Sequence, residues 1–346
     1  MRKLIGGNFG IDNKHNSKNN FFTIKSENLF PSGRSAFINI VEHLFVMKKI
    51  NQIEIPSYLC ESIASSLQKH RINYSFYPIN KKFELRPKLK KNTLTLLVNF
   101  FCLNTENISK IVTNNKNHNF IIDKTHSILN QNFSLKTLEN TEIFFSLRKF
   151  SPIVAGMSST KNISKIVNSK YLRLFKENLE LKKKRYKYFS NEANPIDVSF
   201  EKKMISQFNN HEKKLKKIFY TKIPIIMPKL LNGINWKNIR KQRRENFLFL
   251  CNKIKKKFKI VNIINAKKNI TPIFLLLDLG KHRDNLKNFL FSKRILTPIH
   301  WPKSKFVNYK IFNIEKKMTE NLLSIPIDQR YNVNHMDFIS KNLLKY

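Results

Sequence analysis

A chain of 346 residues with 41% hydrophobic residues is too apolar for a disordered polymer and long enough for two cores, yet no apolar run approaches the roughly 20 residues that span a bilayer. Its formal charge of +42 comes mostly from lysines spread among Asn and Ile, as A/T-rich codons produce, and no zinc-finger or RNA-recognition signature excludes the plainer reading of a solvated basic surface. Cys60, Cys102 and Cys251 are too few and too scattered for a disulfide framework or a metal site, and the start MRKLIGGNFG lacks the apolar core of a secretion signal, so a cytoplasmic protein without a metal is expected.

The first thirty residues are polar and Asn-rich, which predicts an N-terminal arm over 1–30. From Gly33 to Lys49 apolar residues recur at helical spacing, with Phe37, Ile40, Val41, Leu44 and Phe45 on one face. QIEIP (Gln52–Pro56) reads as a strand, Cys60–His70 as a helix and Asn73–Ile79 as a second strand. TLTLLVNFF (Thr93–Phe101) is a nearly continuous apolar strand, as a sheet covered on both faces requires. A helix over Thr105–Asn115 and strands over Asn119–Asp123 and Glu142–Leu147 continue the alternation, which predicts an α/β fold with a mostly parallel central sheet flanked by helices. Ser158 to about Lys217 is charged and helical. A long helix over Asn235–Phe258, capped by Asn235, then opens a smaller C-terminal α/β domain. Its further predicted elements are strands in Ile270–Leu279, Ile295–Pro302 and Leu322–Ile327, with helices over His282–Arg294 and Val333–Leu344. The expected division is a large domain over 31–234 and a small one over 235–346.

In open α/β sheets ligands bind beyond the carboxyl ends of the strands, and four polar groups stand at such positions. Ser32-Gly33-Arg34-Ser35 opens the first long helix, where free N–H groups and the helix dipole suit a phosphate. Asp123 closes one strand, with His126 three residues on. Ser146 and Lys149 end the strand EIFFSL. A buried carboxylate needs a cation or donor, and a desolvated lysine is a nucleophile toward carbonyls. Such a set of anchor, acid and lysine is what pyridoxal phosphate requires of a protein. The bland alternatives are a capping turn, a turn-forming acid and a strand that has reached solvent.

The ordered motifs SGRSA, IIDKTHS and FFSLRKFSPIVAG, with RRENFLFL, RILTPIHWP and LLSIPIDQRY further on, resemble the DegT/StrS-type sugar aminotransferases, in the branch that reads S-L-R-K. The likeness runs from about Pro31 to the C-terminus. It implies a fold-type-I enzyme dependent on pyridoxal 5'-phosphate, acting as a homodimer and moving an amino group from a glutamate-like donor to a nucleotide-linked keto sugar. A sugar dehydratase or lyase on the same scaffold is the alternative within that chemistry, and a non-catalytic nucleic-acid-binding protein the alternative outside it. By the resemblance Lys149 holds the cofactor as a Schiff base and shuttles a proton. Asp123 pairs with the pyridine nitrogen, His126 lies near the phenolic oxygen, and Gly33, Arg34, Ser35 and Ser146 supply phosphate donors. Tyr58, His300 and Trp301 border the substrate pocket. Cys60 falls where a ring-stacking aromatic often stands. Arg148 has no assigned role, a structural ion pair being one reading of it, and the DQRY turn (Asp328–Tyr331) is expected to be a structural ion pair and turn.

Overall fold

The structure, a computed structural model, describes residues 3–11, 24–130, 138–190, 196–262 and 270–346. Seven strands form the main sheet. β1 (Leu29–Phe30) leads into α1 (Gly33–Met47), followed by β2 (Gln52–Pro56), α2 (Glu61–Lys69), β3 (Tyr74–Tyr77), β4 (Thr93–Val98), α3 (Thr105–Asn114), β5 (Asn119–Asp123), β6 (Thr141–Ser146) and β7 (Gly156–Ser158). Their spatial order is β1-β7-β6-β5-β4-β2-β3. β2 through β6 are parallel, and β7 runs antiparallel to both β6 and β1. All six residues of β4 are buried, as its continuous apolar run predicts for a strand with helices on both faces. In-register pairing sets Val98 beside Asp123 and Asp123 beside Phe144, so β4 and β5 end at one level and β6 runs two residues further, to Ser146. Their carboxyl ends therefore form one rim.

Two long helices, α4 (Ser169–Ser190) and α5 (Val198–Leu215), lean against this domain, and the short α6 (Ile226–Asn232) follows. α7 (Trp236–Ile254) starts at Asn235, whose side chain accepts from the Asn238 N–H as a helix cap should. Its first buried residues, Trp236 and Ile239, belong to the core of the main sheet. Phe247, Leu250, Cys251 and Ile254 belong to a second core, shared with β8 (Leu275–Asp278), α8 (Arg283–Ser292), β9 (Leu322–Ile325) and α10 (Val333–Lys345). α9 (Asn313–Asn321) precedes β9, which pairs antiparallel with β8. One helix thus serves both cores.

One expectation needs correction. Ile295–Pro302 is not a strand, since Pro298 and Pro302 lack the N–H that a ladder needs. Only an isolated bridge joins Ile295 to Ile5, and Ser324 N–H donates to the Pro298 carbonyl. Of the N-terminal segment, Ile5 is buried in the second core, while Arg185 and Arg330 donate to carbonyls of Gly6, Gly7 and Asn8. Residues 12–23 of the expected arm lie outside the described residues.

Candidate active site

At the carboxyl ends of β4, β5 and β6 lies a cleft. Ser32, Gly33, Arg34, Asp123, His126, Ser146, Lys149 and Trp301 all line it, so the motifs singled out in the sequence meet in one place. Ser32 caps α1 by accepting from the Ser35 N–H at 3.2 Å. A Cβ on Gly33 would stand 2.9 Å from Ser146 Cβ, which is why the end of β6 can approach the turn so closely. Arg34 donates from Nη1 to Glu212 of α5 at 2.9 Å, while its Nη2 is buried with no partner among the described residues.

Asp123 accepts from the Thr125 N–H at 2.8 Å. Burial raises its carboxyl above the usual range, and the hydrogen bonds from Thr125 and the charge of Lys149 oppose that only in part. Lys149 ends a 3-10 turn, Leu147–Lys149, that continues β6. Its amine is pushed down to about 8, first by burial and then by the Arg148 cation, while Cys60, Asp123 and Glu212 pull the other way. Glu212 is held at about 2: burial alone would raise it, but the Arg148 and Arg34 cations outweigh that.

His126 accepts at Nδ1 from the Phe101 N–H at 3.2 Å, which leaves its proton on Nε2. Burial, and next the Lys149 charge, lower it to about 3, so the ring is neutral at any physiological pH. Phe101 and Cys102 both take left-handed backbone angles to make this contact, and the Cys102 thiol donates to the His126 carbonyl at 3.0 Å. Trp301 lies flat against the His126 ring, centroids 5.6 Å apart and planes 11° from parallel.

Three predicted residues sit behind the wall of the cleft. The Ser35 hydroxyl donates to the Ile218 carbonyl at 3.1 Å, so Ser32 is the serine of this turn that faces the cavity. Tyr58 is buried and its hydroxyl donates to the His300 carbonyl. His300 is buried too, bonded through Nδ1 to Ser324 Oγ at 2.9 Å. Both support Trp301, with the Tyr58 and Trp301 ring centroids 5.4 Å apart. Sequence reasoning passed over Glu212, Asn99 and Ser62, which also line the cavity; only an excess of cationic partners could have pointed to Glu212. Cys60 lines it and, as expected from its position, brings no ring.

The donor set fits a flat ring carrying a phosphate ester. The one cleft holds a helix N-terminus, a guanidinium nitrogen without a partner among the described residues, a carboxylate and an amine lowered to about 8. No family model and no curated protein matches the chain. Solved structures do resemble it. The PLP form of the putative sugar aminotransferase Spr1654 from Streptococcus pneumoniae superposes with a TM-score of 0.67 at 10% identity, over 98% of this chain and 97% of that one. Helicobacter pylori PseC, an aminotransferase involved in the biosynthesis of pseudoaminic acid, gives 0.66 at 14% identity over 99% of each. A DegT DnrJ EryC1 StrS aminotransferase from Brucella abortus gives 0.60 at 13%, over 92% of this chain and 85% of that one. The chain has the fold type I architecture of these proteins. At such identities the likeness is one of fold, and the polar groups of the cleft carry any argument about chemistry.

Proposed function

We propose that the protein is a pyridoxal 5'-phosphate-dependent sugar aminotransferase, taking an amino group from a glutamate-like donor and giving it to a nucleotide-linked keto sugar. The observation that carries this reading is the meeting of Lys149, Asp123 and the α1 turn in one cleft. The neighbours solved in PLP and PMP forms lend it support.

Ser32, Gly33 and Arg34 would hold the phosphate through the α1 N-terminus and the free Nη2, with Ser146 beside them. Asp123 would hold the ring nitrogen, and Lys149 would hold the aldehyde carbon through Nζ. When bound, the cofactor supplies an electron sink for the bonds at the amino acid's α-carbon. Lys149, lowered to about 8, exchanges its proton near neutrality, as a general acid and base must. Asp123 keeps a negative charge in the cleft once it is matched by a cation. His126, neutral and fixed by Phe101, offers its Nε2 proton as a donor without adding charge. Trp301 closes the cavity on the small-domain side and excludes water there.

Protein mixed with pyridoxal phosphate should show a visible band that borohydride fixes on Lys149, located by peptide mass, and Lys149→Ala should abolish it. Glutamate should then convert the cofactor to its amine form, which a dehydratase or lyase would not require. A chain that takes up no pyridoxal phosphate would overturn the proposal.

The proposal includes a homodimer in the cytoplasm. Ile163, Ile166, Ile225 and Ile226 are exposed, and the Lys222 N–H to Ile166 carbonyl bond draws their two segments together, an apolar surface that a second copy would cover. Sedimentation velocity should give twice the chain mass; a monomer at micromolar concentration would remove this part. No helix of the described residues is long and apolar enough to cross a membrane.

A further inference from the structure

Arg243 is a buried cation on α7, 1% exposed, whose guanidinium is used on every side. Nη2 donates to the Lys149 carbonyl at 3.1 Å, Nη1 to the Ile273 carbonyl at 3.0 Å, and Nε to Gln329 Oε1 at 2.8 Å. Gln329 turns its other end inward, and Nε2 donates to the Phe150 carbonyl at 2.7 Å. The guanidinium also lies over the Phe150 ring, 4.6 Å from its centroid. Two successive backbone carbonyls, at 149 and 150, are therefore gripped by two side chains from the small-domain half of the chain.

The grip is itself anchored. Asn246, one turn along α7, donates from Nδ2 to the carbonyls of Ile327, Asp328 and Tyr331, at 3.2, 3.1 and 2.8 Å. Asp328, buried, and Arg330, partly buried, form an ion pair at 2.7 Å on either side of Gln329. The DQRY turn is thus structural, as expected, but its glutamine reaches toward the cleft. Lys149 needs such a hold. It ends a three-residue 3-10 turn, a weak element by itself, and no described residue accepts a hydrogen bond from its Nζ. A long side chain with a desolvated amine gains both hydration and rotamer freedom by swinging out to water. Charge-assisted hydrogen bonds to its own carbonyl and the next oppose that motion from behind.

We propose that Arg243 and Gln329 are positioning residues for Lys149, holding its backbone so that the amine stays inside the cleft and the small domain sets its reactivity. This rests on Lys149 being the reacting amine of the proposed function. The groups that face the amine are Arg148, Asp123, Cys60 and Glu212, with the neutral rings of His126 and His300, and none is altered by a change at position 329.

The test uses the full chain without added cofactor. Lysines are labelled competitively with acetic anhydride from pH 6 to 11, and the peptide containing Lys149 is followed by mass spectrometry against exposed lysines. In the wild-type protein Lys149 should titrate near about 8. Gln329→Ala and the volume-matched Gln329→Met should both move that midpoint up by roughly half a unit or more, toward an ordinary lysine. Midpoints unchanged in both, even with a lowered melting temperature, would make the contacts purely structural and overturn the proposal. A shift in the alanine variant alone would assign the effect to packing and overturn it as well. Because nothing is bound, a chain that never takes up pyridoxal phosphate would still report on the clamp.

Discussion

A Cβ built on Gly156 would lie 2.1 Å from the Ser32 carbonyl oxygen and 2.7 Å from the Gly33 nitrogen, so β7 can run behind the α1 turn only through a residue without a side chain. Gly156→Ala must push the turn and the strand apart. The expected loss is about 1–3 kcal/mol of stability, the usual result of overpacking, together with weaker capture of pyridoxal phosphate. Urea melts and an absorbance titration check the two effects, and unchanged affinity in a destabilised variant would move the phosphate end elsewhere. Gly280 makes a useful contrast, with a positive φ of 54° but nothing near its Cβ. At this scale the sequence is legible where the chemistry is local. Lys149, Asp123 and the SGR turn stand out by residue type and order, and they line one cleft. It is illegible where a partner lies far along the chain: the Ser35 hydroxyl is taken by Ile218, 183 residues away, and Arg34 by Glu212, 178 away. Neither pairing leaves a trace in the local pattern.

Elements divide in the same way. β4 and β5 are apolar runs buried on both faces and are read correctly from hydrophobicity alone, β5 to the residue. α7 is legible from its cap and its period, though not its double duty, which depends on which core each turn meets. β7 has three residues, too few to show alternation, and is a strand only because β6 and β1 flank it. Ile295–Pro302 misleads in the opposite sense. Its apolar, β-branched residues have strand propensity, but the prolines remove donors and the segment instead wedges Trp301 among Tyr58, Phe100 and His126. The result is a rigid aromatic wall where a regular strand would have kept its residues in a ladder.

For the molecule as a whole, a charge of +42 turns buried cations into a question of pH. Lys182 on α4 is 3% exposed, donates to the Pro152 carbonyl, and is lowered to about 7, first by burial and then by Arg148, with Arg185 and Arg330 adding to the effect against Glu212. An unfolded lysine keeps its proton to about 10.4. Between those two values the unfolded chain binds a proton that the folded one does not, so stability rises with pH across that window, by up to about 1.4 kcal/mol per unit for one proton. Lys149, lowered to about 8, acts in the same direction over a narrower range. Loss of surface charge at high pH also relieves self-repulsion, but it does so equally in a variant that lacks only the Lys182 amine. Urea melts at pH 7, 8 and 9 should therefore show stability climbing in the wild-type protein and climbing less steeply in Lys182→Met. The slope is the readout, because the methionine also leaves the Pro152 carbonyl without its donor and shifts the absolute level. Parallel slopes would mean that Lys182 stays protonated in the fold and that the Pro152 carbonyl and Glu212 together satisfy its charge.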